Sequence, residues 1–548
     1  MRIINRGPKS SRLSGRVGYH EAVETVELDW RVCSRARLAR DARFDGKFFI
    51  GVRSTKVYCR PTCPARTSKE ENVHYFATAA AAAEAGFRPC LRCRPECSPG
   101  TLACTGTRNT VARALKLIGE SGLEDGGVEA LAERLGVGSR HLRRLFLRHL
   151  GATPTCVAQT RRLHFAKKLI DETRLPMTQV AIASGFGCVR SFNECIRKVY
   201  RRTPRQIRKL AARSAAQDAG QYIFHLHFRP PYNWKRALEF LALRATPGVE
   251  AVEGGRYRRS ISLKGHHGYF EVSPGEEGSA LTVRVEFGEP RALFIVIDRI
   301  RRMFDLDSDW AVIAKALRND AALAPLVDAE SGVRVPGGWS DFELTVRTIL
   351  GQQKSVEQAA ALADRVVKAC GPAFVAANGL THLFPTAEIL AGANLAGAGV
   401  PRGIAATLRA FARAVCDGQI RFEGIVDAGD FSMRLREIAG IGKPLAQYVA
   451  MCVLRDPDAF PCGDLALQQV MGERSAEDLE RRSEVWRPWR SYAAVLLWQC
   501  AGNACARSRL QGSRADQSAK VLQVGPQDAA GENHRSGNLA ARNVSMGT

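Results

Sequence analysis

The chain has 548 residues, 45% of them apolar, and a formal net charge of +25. That length predicts about three or four domains. The charge points to a polyanionic partner, nucleic acid first and a membrane surface second. No apolar run of about 18 residues occurs, so no segment is expected to span a bilayer. The leading "MRIINRGPKSSRLSG" lacks the apolar stretch of a secretory leader, which predicts a cytoplasmic protein. That reducing compartment disfavours disulfides for the 16 cysteines and favours metal binding or thiol chemistry for the closely paired ones.

Residues 1–27 are polar and basic and read as a disordered N-terminus. Residues 28–100 combine an expected strand, "KFFIGV", with an alanine-rich helix, "ATAAAAAEAGF". They also carry two tight cysteine pairs: Cys59 with Cys63, and Cys90 with Cys93. Four thiols in two pairs suit one tetrahedral zinc ion. Arg60, Arg66, Arg88, Arg92 and Arg94 surround them in sequence, and cations beside a thiol favour its thiolate. Cys33, Cys97 and Cys104 fall outside the pattern.

"ARDARFDGKFFIGVRSTKVYCRPTCPAR", "ENVHYF" and "AGFRPCLRCRPE" together resemble the N-terminal domain of the Ada family of alkylation-damage proteins. The resemblance implies a small zinc α/β domain in which one zinc ligand takes a methyl group irreversibly from a DNA methylphosphotriester. By motif, that acceptor is Cys59, and Cys63, Cys90 and Cys93 remain as the other ligands. Methylation removes a negative charge facing phosphate and so strengthens DNA binding. A plain four-cysteine zinc module without methyl transfer is the competing reading.

"CSPGTLACTGT" reads as a linker, and residues 106–212 are helical throughout. "VEALAERLGVGSRHLRRLFLRHLGATP" and "MTQVAIASGFGCVRSFNECIRKVYRRTP" repeat one plan: helix, glycine turn at Gly136 or Gly185, second helix. That is a tandem helix-turn-helix, and it resembles the DNA-binding domain of the AraC family. The second helices are expected at Ser139–Leu150 and Val189–Tyr200, in the major groove. Candidate DNA contacts are Arg140, His141, Arg143 and Arg144 in the first, and Arg190, Ser191 and Asn193 in the second. Arg197, Lys198, Arg201, Arg202, Arg205 and Arg208 suit phosphates rather than bases.

Residues 220–303 change to short alternating runs, "YIFHLHF", "RYRRSISL", "YFEVSP" and "LTVRVEF", with helices near 233–244 and 291–303. They resemble the N-terminal, TBP-like mixed α+β subdomain of the AlkA group. From 309 to 499 the chain is helical again. "GGWSDFELTVRTILGQQKSVEQAA", "LREIAGIGKPLAQYVAMCVLRDPDAFPCGDLALQQVMG" and "WRPWRSYAAVLLW" together resemble the helix-hairpin-helix glycosylase superfamily. In "AGIGK", Gly440 and Gly442 allow a tight turn that presents backbone N–H groups to a DNA phosphate, with Lys443 beside them. Asp464 follows Gly442 by 22 residues and matches the catalytic aspartate. A carboxylate there stabilises the oxocarbenium-like sugar or activates water. Tyr448 and Trp498 match the aromatics of the base pocket, suited to a cationic alkylpurine. Gln353 sits where the family wedges a residue into the gap left by the flipped base.

Two departures bear on activity. Pro444 stands where lyase members carry lysine and the AlkA group tryptophan, so no strand-cleaving lyase is expected. Lys354 replaces a residue that is apolar in the family. No "PCHR" occurs, so a guanine-O6 methyl-acceptor domain is absent from this sequence. Residues 500–548 read as a disordered tail.

The expectation is a multidomain α+β protein: zinc domain, all-α tandem helix-turn-helix, mixed α+β subdomain, all-α glycosylase domain and tail. It is a monomer of the bacterial cytosol, associated with the nucleoid. It uses one Zn2+ and no organic cofactor, and acts on alkylated and promoter double-stranded DNA. It combines a monofunctional DNA-3-methyladenine glycosylase II, a suicidal methylphosphotriester methyltransferase and a transcription activator of the adaptive response. The alternative is a methyl-sensing activator whose glycosylase half is degenerate and only binds DNA.

Overall fold

The computed structural model describes residues 29–99, 110–211, 220–422 and 428–501, apart from 122, 124–126, 277, 377–378 and 454. The segments expected to be disordered, 1–27 and 502–548, lie outside those residues, as does most of the expected linker. The tail was expected from residue 500, but the last helix runs through Ala501 and buries Cys500 to 1% exposure.

The cysteine-bearing region starts with α1 (Trp30–Leu38), followed by β1 (Phe49–Val52), β2 (Val57–Cys59), β3 (Val73–Phe76), α2 (Ala79–Glu84) and β4 (Arg88–Pro89). The sheet order is β3-β1-β2-β4, with β2 and β4 parallel and the other pairs antiparallel. The alanine run makes a slim helix that lies close to the sheet, with Ala82 fully buried. Thr78 caps it, accepting from the Ala81 N–H at 2.9 Å, and its hydroxyl donates to the Leu150 carbonyl of the next region at 2.7 Å.

Seven helices follow: α3 (Thr110–Ser121), α4 (Gly127–Arg134), α5 (Ser139–Leu150), α6 (Pro154–Glu172), α7 (Met177–Ala183), α8 (Val189–Tyr200) and α9 (Pro204–Leu210). The repeated "GATP" and "RRTP" now have a physical reading. Gly151 and Arg201 end α5 and α8 in the left-handed conformation, at φ 68° and 55°. Thr153 and Thr203 then cap α6 and α9, and Pro154 and Pro204 occupy their first turns. Each repeat is thus a helix stop joined to a helix start. Helix α5 buries Leu142, Phe146 and Leu150, and α8 buries Phe192, Ile196 and Tyr200. That i, i+4 spacing puts each set on one face, and each side chain contributes roughly 1.5–3 kcal/mol of burial.

Strands β5 (Gln221–His227), β6 (Glu250–Glu253), β7 (Arg256–Leu263), β8 (His266–Pro274) and β9 (Ala280–Phe287) form an antiparallel sheet in the order β5-β9-β8-β7-β6. Helices α10 (Trp234–Arg244) and α11 (Leu293–Met303) supply Leu241, Val296 and Ile300 to its core. That core does not stop at the domain edge. Leu163, Phe165, Phe192, Ile196 and Tyr200 of the helix-turn-helix region belong to the same buried cluster as Phe224, Phe270 and Val283 of the sheet. Phe165 meets Phe294 edge-on at 4.9 Å, and Arg161 pairs with Asp298 at 3.0 Å.

The remaining helices are α12 (Trp310–Leu317), α13 (Ala324–Ala329), α14 (Asp341–Leu350), α15 (Val356–Cys370), α16 (Ala387–Gly392), α17 (Arg402–Cys416), α18 (Ala428–Arg436), α19 (Lys443–Val453), α20 (Leu465–Met471), α21 (Ala476–Ser483) and α22 (Arg490–Ala501). They bury two clusters, and α19 contributes to both: Met451 and Cys452 to one, Leu445, Ala446 and Val449 to the other. A buried ionic group ties them to the sheet. Arg259, 1% exposed, reaches Glu343 at 2.7 Å and Glu250 at 3.3 Å, and Arg347 reaches Glu250 at 2.9 Å. Truncating one member would strand its partners and cost about 3–5 kcal/mol.

Candidate metal centre and DNA-facing sites

The four paired cysteines converge. Cys59 ends β2, Cys63 follows a tight turn closed by its own N–H to the Arg60 carbonyl, and Cys90 leaves β4. The Cys90 N–H donates to the Tyr58 carbonyl at 2.9 Å, which locks one pair beside the other. All four Sγ atoms lie within 4.8 Å of one another. A tetrahedral zinc with Zn–S bonds of about 2.3 Å requires sulfurs about 3.8 Å apart, so the donor set fits. The Arg60 backbone N–H also donates to Cys93 Sγ at 3.3 Å, a bond suited to a thiolate. Cys59 and Cys63 keep partial exposure, whereas Cys93 is buried.

Of the five arginines expected around the sulfurs, two are occupied elsewhere. Arg60 binds the buried Asp45 carboxylate through its Nε at 2.9 and 3.0 Å. Arg94 turns away at φ 51° and pairs with Asp171 and Glu172 of α6, each at 3.1 Å. Arg66 and Arg92 are exposed. Cys33 and Cys97 are buried outside the cluster, and Cys104 lies outside the described residues.

The centre is bound into the rest of the chain. The Tyr58 hydroxyl meets His164 Nε2 of α6 at 2.8 Å. Burial pushes the His164 imidazole down to about 4, with Glu96 opposing and Lys167 reinforcing the shift. The Asp45 carbonyl accepts from Arg229 Nε at 2.9 Å. Arg229 is fully buried and donates to the Asp307 carbonyl through Nη1. No sequence signal marked Asp45 or Arg229.

The second helices of the two helix-turn-helix units, α5 and α8, span the expected residues. Arg140, His141, Arg143, Arg144, Arg190 and Ser191 are exposed on them, and Asn193 is half-buried. Arg143 pairs with Glu129 at 2.8 Å, an exposed contact that DNA can displace at little cost. Arg144 lies 3.1 Å from His141. Arg197, Lys198, Arg201, Arg202 and Arg205 are exposed. Arg208 differs: it is half-buried with its Nε on the Ile170 carbonyl at 3.4 Å, so it braces α6.

In the helical domain the turn before α19 places Gly440 at φ 90°, where a Cβ would stand 2.1 Å from Thr407 Oγ1. Only glycine fits. The Gly440 carbonyl accepts from Gln352 Nε2 at 2.8 Å, which joins the hairpin to the loop carrying Gln353. Gln353 is exposed at φ 56°, with Lys354 half-buried next to it. Gly442 is exposed, and Lys443 pairs with Glu480 at 3.0 Å. Tyr448 and Trp498 meet with ring centroids 5.8 Å apart. Burial pushes the Tyr448 phenol up, so it stays neutral.

Asp464 is the N-cap of α20 and accepts from the Leu467 N–H at 3.0 Å through Oδ1. Its Oδ2 carries no hydrogen bond among the described residues. Pro444, in the first turn of α19, lies against Gly463, directly before Asp464. Among the described residues, no helix is long and apolar enough to cross a membrane.

Three family models match: the metal-binding domain of Ada over residues 32–96, a helix-turn-helix domain over 131–210, and the AlkA N-terminal domain over 223–340. A Mycobacterium tuberculosis protein, described as a probable bifunctional transcriptional activator/DNA repair enzyme AlkA, is 38% identical. That match covers 86% of this chain and 96% of the relative. Escherichia coli DNA-3-methyladenine glycosylase 2 is 30% identical, over 51% of this chain and 98% of its own length. The Escherichia coli bifunctional transcriptional activator/DNA repair enzyme Ada is 33% identical, over 33% of this chain and 51% of its length. The protein is therefore one in which an Ada-type metal centre and helix-turn-helix region precede an AlkA-type body. It belongs to the family of the mycobacterial AlkA-type bifunctional proteins, and its four-cysteine site is a site for one Zn2+.

Proposed function

We propose that the chain is an alkylation-response protein that excises alkylated purines, accepts methyl groups from DNA methylphosphotriesters on Cys59, and regulates transcription through its two helix-turn-helix units. The 38% identity to a probable bifunctional activator/repair enzyme, over 86% of this chain, carries this reading.

In the excision step the flipped base stacks on Tyr448 and Trp498, and Gln353 fills the vacated place in the duplex. Gly440 and Gly442 hold the neighbouring phosphate. As the N-glycosidic bond breaks, its electron pair leaves with the base. The unpaired Oδ2 of Asp464 faces the cationic sugar or directs water to C1′, and the added water's second proton is released. With Pro444 in place of lysine, no amine is available there for a covalent sugar adduct, so the product is an abasic site.

In the transfer step Cys59 Sγ attacks the methyl carbon of the phosphotriester. The C–O bond breaks towards oxygen, leaving an ordinary phosphodiester and an S-methyl cysteine. Zinc, held by Cys59, Cys63, Cys90 and Cys93, keeps the sulfurs as thiolates. Arg60 and Asp45 hold the Cys59 turn in place.

The deciding experiment incubates wild type and Asp464→Asn with methylated DNA and measures free bases. Release of 3-methyladenine by wild type alone supports the glycosylase. Release by neither leaves a methyl-sensing activator with a DNA-binding remnant, the second reading, which Pro444 favours.

A further inference from the structure

One cation beside the Tyr448–Trp498 pair has no role in the scheme above. Arg244 ends α10, in the subdomain that precedes the glycosylase helices, yet its guanidinium reaches Tyr448 of α19. Its Cζ lies 3.7 Å from the centroid of the Phe240 ring, and its Nη1 donates to the Phe240 carbonyl at 3.4 Å. Such stacking on an aromatic face fixes the plane of the group. Arg347, a member of the buried ionic group, donates to the Arg244 carbonyl and ties the end of α10 to α14. Phe240 borders Val495 and Gln499 of α22, beside Trp498.

Burial pushes the Tyr448 phenol up, and the Arg244 guanidinium opposes that shift both as a charge and as a hydrogen-bond partner of the hydroxyl. The Cys452 thiol, one turn further along α19, is pushed up to about 12 by burial, with Tyr448 and Arg244 opposing. Arg244 is half-buried, and among the described residues no carboxylate pairs with it. A fixed and unneutralised positive charge therefore stands at the aromatic pair, where partial burial limits screening.

What that charge does depends on the base. A purine alkylated at N3 or N7 is cationic before cleavage and leaves as a neutral molecule. A nearby cation opposes its binding and has no negative charge to stabilise as it departs. A damaged purine without ring charge is neutral before cleavage. It leaves as an anion, because the electron pair of the N-glycosidic bond goes with it. The water that adds to C1′ then supplies the proton the departed base takes up. A cation held in place stabilises the anion as it forms, which lowers the barrier.

We propose that Arg244 is a specificity-determining residue that lets the glycosylase release neutral damaged purines by stabilising the departing base as an anion. The inference rests on the glycosylase reading. It concerns which bases are released, not whether any is.

The test measures kcat/KM of the full chain on two duplexes that differ at one position, holding either hypoxanthine, which is neutral, or 7-methylguanine, which is cationic. Wild type should release both. Arg244→Met keeps the stem without the charge and should lower the ratio of hypoxanthine to 7-methylguanine release by about ten- to hundredfold. Arg244→Lys keeps a charge and should retain most of the ratio. Arg244→Gln gives the same reading should the Met variant not fold. An unchanged ratio in folded variants, or release of 7-methylguanine without hypoxanthine by wild type, overturns the inference and leaves the glycosylase standing. No release of either base by wild type removes the glycosylase reading and this inference with it.

Discussion

The ring of Pro444 rests on the α-carbon of Gly463: a Cβ at Gly463 would stand 2.4 Å from Pro444 Cγ and 2.8 Å from its Cβ. Gly463 precedes Asp464, so the residue that departs most from the glycosylase pattern is also the one that seats the carboxylate elbow. Gly463→Ala should push that elbow off the proline. The expected result is a fall in base release of tenfold or more, with a loss of stability of about 1–3 kcal/mol from overpacking. Single-turnover kinetics and thermal melting of the same variant separate the two effects.

Asp464 caps α20, and different substitutions separate that duty from the catalytic one proposed for it. Asn is as good an N-cap as Asp, whereas Ala forfeits about 1 kcal/mol. Asp464→Asn should keep the wild-type melting temperature and lose base release by about a hundredfold or more. Asp464→Ala should lose both. Equal activity in wild type and the Asn variant would remove the carboxylate from the reaction.

Exposure to methylphosphotriester DNA should add one methyl mass, and peptide mapping should place it on Cys59 with Cys63, Cys90 and Cys93 unmodified. Cys59→Ser should take up none. Metal chelation should unfold the four-strand sheet region, whose strands hold two to four residues each, because so small a core depends on its metal. Circular dichroism with and without added zinc reads this directly.

The Tyr58–His164 contact predicts an acid-sensitive joint. His164 is held at about 4 against an ordinary value of 6.5. The unfolded chain therefore takes up a proton on this residue between pH 6.5 and 4 while the folded chain does not. Its contribution to stability is complete above 6.5 and is lost as pH falls towards 4. His164→Gln should flatten that part of the melting-temperature profile, and an unaltered slope would assign the acid sensitivity elsewhere.

Gly440→Ala should weaken binding to undamaged duplex DNA and to lesion DNA alike, because the methyl group would collide with Thr407 and the backbone at φ 90° disfavours a side chain. Fluorescence anisotropy on both duplexes checks this.

The repeated elements were the most legible in the sequence. Helices α5 and α8 announce themselves by apolar residues at helical spacing between a glycine turn and a Thr-Pro start. Strand β7 shows through "RYRRSISL". Strands β2, β3 and β4 do not, because runs of two to four residues are too short to display an alternation. Strand β6, "EAVE", is polar at both ends and pairs only along one edge. The cysteine cluster was readable from spacing, but the pairing of Arg60 with Asp45 and of Arg94 with Asp171 and Glu172 was not, since those carboxylates are distant in sequence.

The buried cluster shared by the second helix-turn-helix unit and the five-stranded sheet has a consequence for how the chain can work on DNA. A flexible tether lets two modules sample the double helix independently and at any rotation about its axis. Phe165 packed on Phe294, and Arg229 holding Asp45, remove that freedom. When α5 and α8 occupy a groove, the stretch and the side of the duplex within reach of Asp464 are set by packing rather than by diffusion.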